Sequence, residues 1–148
     1  MPLLNYTTAI KVEQTTSEIQ KILMNAGAKR MAVEFEDGEP VGVAFQIEVD
    51  GQMHSFQLPV NVEGALSVLQ TQKKTNANVA KAGANRPQAA RVAWRILKDW
   101  LEAQLALIAL KQATLEQIML PYLLVAPDVT LYDTMKRAHF ALPPKTET

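Results

Sequence analysis

Two Asp-Gly pairs, Asp37-Gly38 and Asp50-Gly51, each stand between runs in which apolar and polar residues alternate. Alternation puts every second side chain of an extended chain on one face, and Asp-Gly suits the positive φ angles of a two-residue hairpin turn. Before the first turn, Met31, Val33 and Phe35 alternate with Ala32, Glu34 and Glu36. Between the turns, Val41, Val43, Phe45, Ile47 and Val49 form one inward face. After the second, His54, Phe56 and Leu58 alternate with Met53, Ser55 and Gln57. A three-stranded antiparallel unit with one apolar face is the consequence, and the rest of the chain has to cover that face.

The flanking segments supply the cover. Asn5 to Val12 alternates, with Tyr6, Thr8, Ile10 and Val12 on one side, and predicts a further strand. Thr15-x-x-Glu18 has capping-box spacing; Ile19, Ile22, Leu23 and Ala26 follow at helical spacing, and Gly27 is a C-terminal stop. Pro59 ends the strands, Asn61 can cap, and Ala65, Leu66 and Leu69 mark a short second helix. Residues 70–85 (QTQKKTNANVAKAGAN) are polar, small and basic, and read as a mobile loop or linker.

From Arg86-Pro87 to about Lys111 the sequence is strongly helical, with Asn85 as cap, Pro87 in the first turn and no breaker after it. Ala93, Ile96, Leu97, Trp100, Gln104 and Leu107 fall on one side, and Arg91, Arg95, Lys98 and Glu102 on the opposite one. Thr114 caps a turn with Leu115, Ile118 and Met119, and Pro121 breaks it. Leu123-Leu124-Val125 reads as a short strand or an extended packed segment, Thr130 to His139 as a last helix, and 141–148 as a tail. The expected class is α+β: a β-α-β-β-β-α unit with a mainly antiparallel sheet, then a helical C-terminal half with one long helix. The 148 residues suit a single domain, divided into a sheet-containing half (1–69), a basic loop (70–85), a helical half (86–140) and the tail.

No run approaches the roughly 20 apolar residues that cross a bilayer. Met1 to Tyr6 lacks the basic and apolar regions of a secretion signal, and the chain has no cysteine for disulfides or thiolate ligands. A cytoplasmic setting with no membrane contact is expected.

Lys+Arg and Asp+Glu balance at 15 each, but unevenly along the chain. No acidic residue lies between Glu63 and Asp99, a span carrying Lys73, Lys74, Lys81, Arg86, Arg91, Arg95 and Lys98. Arg91, Arg95 and Lys98 are spaced i, i+4, i+7 on the long helix, with Trp94 beside them. Cations neutralise phosphates and a ring can stack a base, so this span points to sequence-independent binding of nucleic acid, preferably single-stranded DNA. The alternatives are a solvated face in which Arg95 pairs with Asp99 and Lys98 with Glu102, and a protein-interaction surface with no nucleic-acid role.

Catalysis has little to draw on. Motifs of the HExxH, GxSxG, Walker A and GxGxxG types are absent, and His54 and His139 stand in unrelated contexts, His54 in a strand where a structural role is the plain reading. No cofactor is expected. Glu34, Glu36, Asp37 and Glu39 flank a hairpin and could be imagined around a divalent metal, but no third ligand is marked. Toward the end of the long helix, Leu101, Leu105, Leu107, Ile108 and Leu110 spread almost around the cylinder, which suits a central helix or one shared in a homo-oligomer.

LNYTTAI, GAKRMAVEFEDGEPVGVAFQIEV, FQLPVN, AARVAWRILKDWLEAQLALI and LPYLL together resemble a family of proteins from tailed bacteriophages and prophages. The resemblance covers most of the chain, and VAWRILKDWLEAQLALI is its most distinctive stretch. The family has no established activity, so no catalytic residue carries over. What the resemblance implies is a bacterial cytoplasmic setting during infection, and a protein that handles DNA or one that engages a host factor or scaffolds an assembly.

Overall fold

The computed structural model describes residues 1–142 and 144. Helix α1 (Val12–Asn25) leads into strands β1 (Arg30–Glu36), β2 (Glu39–Val49) and β3 (Gln52–Pro59), paired antiparallel in that order. Asp37 and Asp50 take φ of 50° and 52°, and the glycines after them 77° and 79°, the left-handed pairs that fit a tight hairpin to the strand twist. Three helices follow: α2 (Val62–Gln72), α3 (Ala77–Ala82) and the long α4 (Arg86–Ala109). The chain closes with α5 (Leu115–Met119), a single 3-10 turn (Leu120–Tyr122), a ribbon of β4 (Leu124–Ala126) and β5 (Val129–Thr130), and α6 (Leu131–Arg137). The fold is α+β. Among the described residues, no helix is long and apolar enough to cross a membrane.

The inner sheet face, Val43, Phe45, Ile47, Phe56 and Leu58, is buried under Ile19 and Leu23 of α1, Leu69 of α2, and Val92, Trp94 and Leu101 of α4. Phe45 and Phe56 are opposite in register and stack with centroids 5.4 Å apart. The C-terminal ribbon docks beside β3 through an antiparallel bridge between Phe56 and Leu123. Asn61, Asn85 and Thr114 cap their helices as the sequence predicts, and Thr114 and Thr130 each complete a capping box.

Gly42 marks the tightest backbone approach. A Cβ there would lie 2.6 Å from the Leu58 carbonyl oxygen, which as backbone in the neighbouring strand cannot give way. Gly42→Ala is expected to destabilise the fold by about 1–3 kcal/mol, measured by urea denaturation.

Five expectations need correction. Residues 5–12 form no strand. Asn5 adopts φ 63°, the chain turns there, and α1 begins at Val12. The amide of Gln88 in α4 donates to the carbonyls of Tyr6 and Thr8, both at 2.9 Å, so a side chain supplies the partner a neighbouring strand would have given. The unit is therefore α-β-β-β-α. Thr15 and Glu18 do not cap α1: its N-cap is Lys11, without a side-chain bond, and Thr15 is buried one turn inside the helix.

Residues 70–85 are not a loop. α2 runs on to Gln72, and α3 forms under an Asn76 cap with Val79 fully buried. Phe35 does not join the core and is 64% exposed. An extra residue in β2, Val41, shifts the register between Glu34 and Phe35 and ends the regular alternation. Lastly, α4 does not have one core face. Its first half is buried on several sides, Gln88, Ala89, Val92, Trp94 and Arg95 included, because α1 and α2 pack on it and Trp94 reaches the start of β2. The expected 141–148 tail falls largely outside the described residues.

Candidate functional site

The acid-free span does not assemble into one positive surface. Trp94 is 0% exposed, and its indole Nε1–H donates to the Pro40 carbonyl at 3.3 Å. Arg95 is 9% exposed: its guanidinium pairs with Glu18 and donates to the Thr15 hydroxyl at 3.4 Å. It turns toward α1, not toward Asp99. The Lys98 ammonium lies 2.6 Å from Glu102, the i, i+4 partner available on its own helix.

Arg86 is spent as a clamp. Its Nε and Nη2 donate to both oxygens of Glu39, at 2.8 Å each, and Nη1 to Glu63 at 2.6 Å. These hydrogen bonds, Glu39 first and Glu63 next, push its already high pKa further up. The fork thereby ties the start of α4 to the β1–β2 hairpin and to the first turn of α2. Arg91 is half-buried and donates from Nε to the Gln88 side-chain oxygen at 2.9 Å. Lys73, Lys74 and Lys81 are exposed and, among the described residues, make no ion pair. With Trp94 and Arg95 inside, the i, i+4, i+7 row on α4 is broken at its middle.

The acidic group also divides. Glu34 accepts from the Gln57 amide with both oxygens at 2.9 Å, while Glu39 belongs to Arg86. Among the described residues, no cluster of three or more His, Asp or Glu is placed to hold a metal ion. His54 is half-buried on β3 opposite Ile47, and His139 is exposed just past α6.

An apolar groove is what the fold builds instead. Between α2 and α4 lies a hollow of about 490 Å³, walled by Val68, Ile96, Leu97 and Trp100. It stays open because small residues line both helices there, Gly64 and Ala65 on α2 and Ala93 on α4. Trp100 meets Tyr122 edge-on, with centroids 5.9 Å apart and planes at 76°. A second hollow of about 490 Å³ shares Pro59 and Tyr122 with the first and continues to Pro121 and Tyr132. The two adjoin at Pro59 and Tyr122, and their walls are largely apolar, with Asn61 among the polar groups of the first hollow and Gln57, Thr130 and Asp133 those of the second.

Sequence reasoning placed Ile96, Leu97 and Trp100 on a core face; the structure leaves them only half-buried, as groove walls. The available signal was the run of small residues on α2. Compared with protein-family models, with curated proteins and with solved structures, the chain matches none.

Proposed function

We propose that this chain is a non-catalytic protein-interaction module that receives an apolar segment of a partner in the groove between α2, α4 and Tyr122. The observation that supports this reading most is the pair of adjoining hollows of about 490 Å³ each, meeting at Pro59 and Tyr122. Their largely apolar walls suit the apolar side chains of one face of an amphipathic helix. The resemblance to phage proteins suggests the setting, the cytoplasm of an infected bacterium, and a host or phage protein as partner.

Val68 supplies the test, since it is 39% exposed on the groove wall and its replacement leaves the core intact. Peptides selected against the wild-type protein from a displayed helical library are expected to lose at least tenfold in affinity to Val68→Arg, a loss of about 1.4 kcal/mol, with the melting temperature unchanged. Selected peptides that bind both proteins equally would remove the groove from the reading.

Nucleic-acid binding is the second reading, favoured by Lys73, Lys74 and Lys81, which are exposed and make no ion pair among the described residues, and by half-buried Arg91 on α4. It loses Arg86, Trp94, Arg95 and Lys98 from its contacts, and with them the stacking ring.

A further inference from the structure

The sheet has one long edge to which no strand is paired among the described residues. Its order is β1-β2-β3; β3 is bordered by Leu123 and the C-terminal ribbon, whereas the outer side of β1, seven residues long, pairs with no other strand among the described residues. Edges of this length are commonly blunted by proline or an inward charge, and β1 (RMAVEFE) carries neither proline nor a bulge of its own, since the extra residue at the register shift belongs to β2.

Which peptide groups face outward follows from the ladder. The Val60 N–H donates to the Val41 carbonyl at 2.7 Å, so odd-numbered residues of β2 point their peptide groups toward β3 and even-numbered ones toward β1. Gly42, Ala44 and Gln46 are paired with Glu34, Ala32 and Arg30. The peptide N–H and C=O groups of Met31, Val33 and Phe35 are therefore the ones left at the open edge.

We propose that a second copy of this chain docks there, β1 against β1 antiparallel about a two-fold axis at Val33, joining the two sheets into one. The strand is complementary to itself in this register. Val33 meets Val33 of the second copy, and Met31 meets Phe35, with reciprocal backbone hydrogen bonds at all three odd-numbered pairs. Between them the closer-spaced pairs set Arg30 opposite Glu36 at each end and Ala32 opposite Glu34, where a methyl leaves room for the carboxylate held by Gln57. The contact covers Phe35, whose 64% exposure nothing else in the fold accounts for. Shifting by two residues one way sets Glu34 against Glu34; the other way leaves Phe35 and Glu36 without strand partners. Charge and overlap select the same register.

Arg30 and Glu36 are both exposed, so their inversion tests the contact without touching the core. In sedimentation equilibrium the wild type is expected at twice the 16.4 kDa chain mass. Arg30→Glu and Glu36→Arg, each folded as wild type by circular dichroism, are each expected to raise the dimer dissociation constant about tenfold or more, because each sets like charges at both ends of the pairing. Mixing the two variants in equal amounts restores the dimer, as acidic ends then meet basic ones. A monomeric wild type, single variants that dimerise unchanged, or a mixture no tighter than its components would each overturn the proposal. None of these results depends on the groove between α2 and α4.

Discussion

Trp94→Ala is expected to lower stability by about 3–5 kcal/mol, a fall in melting temperature on the order of 10 °C. The indole is fully buried among α4, the sheet and the β1–β2 hairpin, and no neighbour can fill the space it leaves. Its Nε1–H is also the donor that meets the Pro40 carbonyl where β2 begins, so the loss leaves an acceptor in need of water. Trp94→Phe removes the donor and part of the indole but keeps most of the volume, and should cost less than Trp94→Ala. Thermal and urea denaturation measure both. A ring that stacked on bases at the surface would give the reverse pattern: little change in stability and a large change in binding.

Glu18→Ala is expected to cost about 2–4 kcal/mol, because it leaves the buried Arg95 side chain with only the Thr15 hydroxyl, at 3.4 Å, as partner for its charge. The value sits below that for a fully enclosed pair because the Glu18 side chain is 34% exposed and water partly screens it. Replacing both partners, Arg95→Met with Glu18→Leu, should cost less than Glu18→Ala alone, since no charge then remains in a dry site. A double-mutant cycle by chemical denaturation provides the comparison. Stability that does not respond to Glu18→Ala would place Arg95 in solvent, back among the cations free to meet a phosphate.

Features fixed by neighbours in sequence were legible. Asp37-Gly38 and Asp50-Gly51 placed the meander, and Asn61, Asn85 and Thr114 placed three helix starts, because a turn or a cap is decided within three or four residues. Lys98 with Glu102 was readable for the same reason. The fate of the remaining cations was not. Arg95 finds Glu18 77 positions away, and Arg86 finds Glu39 and Glu63 at separations of 47 and 23. Local spacing carries no trace of such partners, and Thr15-x-x-Glu18, which looked like a cap, is the receiving half of the Arg95 pair.

The helical wheel of α4 misled for a related reason. It divides a helix into one apolar and one polar side, whereas this helix packs against both α1 and α2 and buries Arg95, on what looked like its polar side, along with Gln88 and Val92. Alternation over residues 5–12 likewise predicted a strand because it cannot register that Gln88, some 80 positions later, will take up the carbonyls of Tyr6 and Thr8. The groove was hidden by the same averaging, since Ile96, Leu97 and Trp100 have the spacing of core residues and become a wall only because Gly64, Ala65 and Ala93 are too small to close the space.

Of the cations between Glu63 and Asp99, Arg86, Arg95 and Lys98 are engaged by carboxylates within the fold, and the proposal of a protein-interaction module rests on their not being available to a nucleic acid. A fluorescence-anisotropy titration with labelled single-stranded oligonucleotide at two low salt concentrations tests it most directly. Weak or no binding is expected, since of this span at most Lys73, Lys74, Lys81 and Arg91 remain to meet phosphates. Tight binding whose logarithmic salt slope approaches about −3.5, the value for roughly five phosphates neutralised on a single strand, would contradict it.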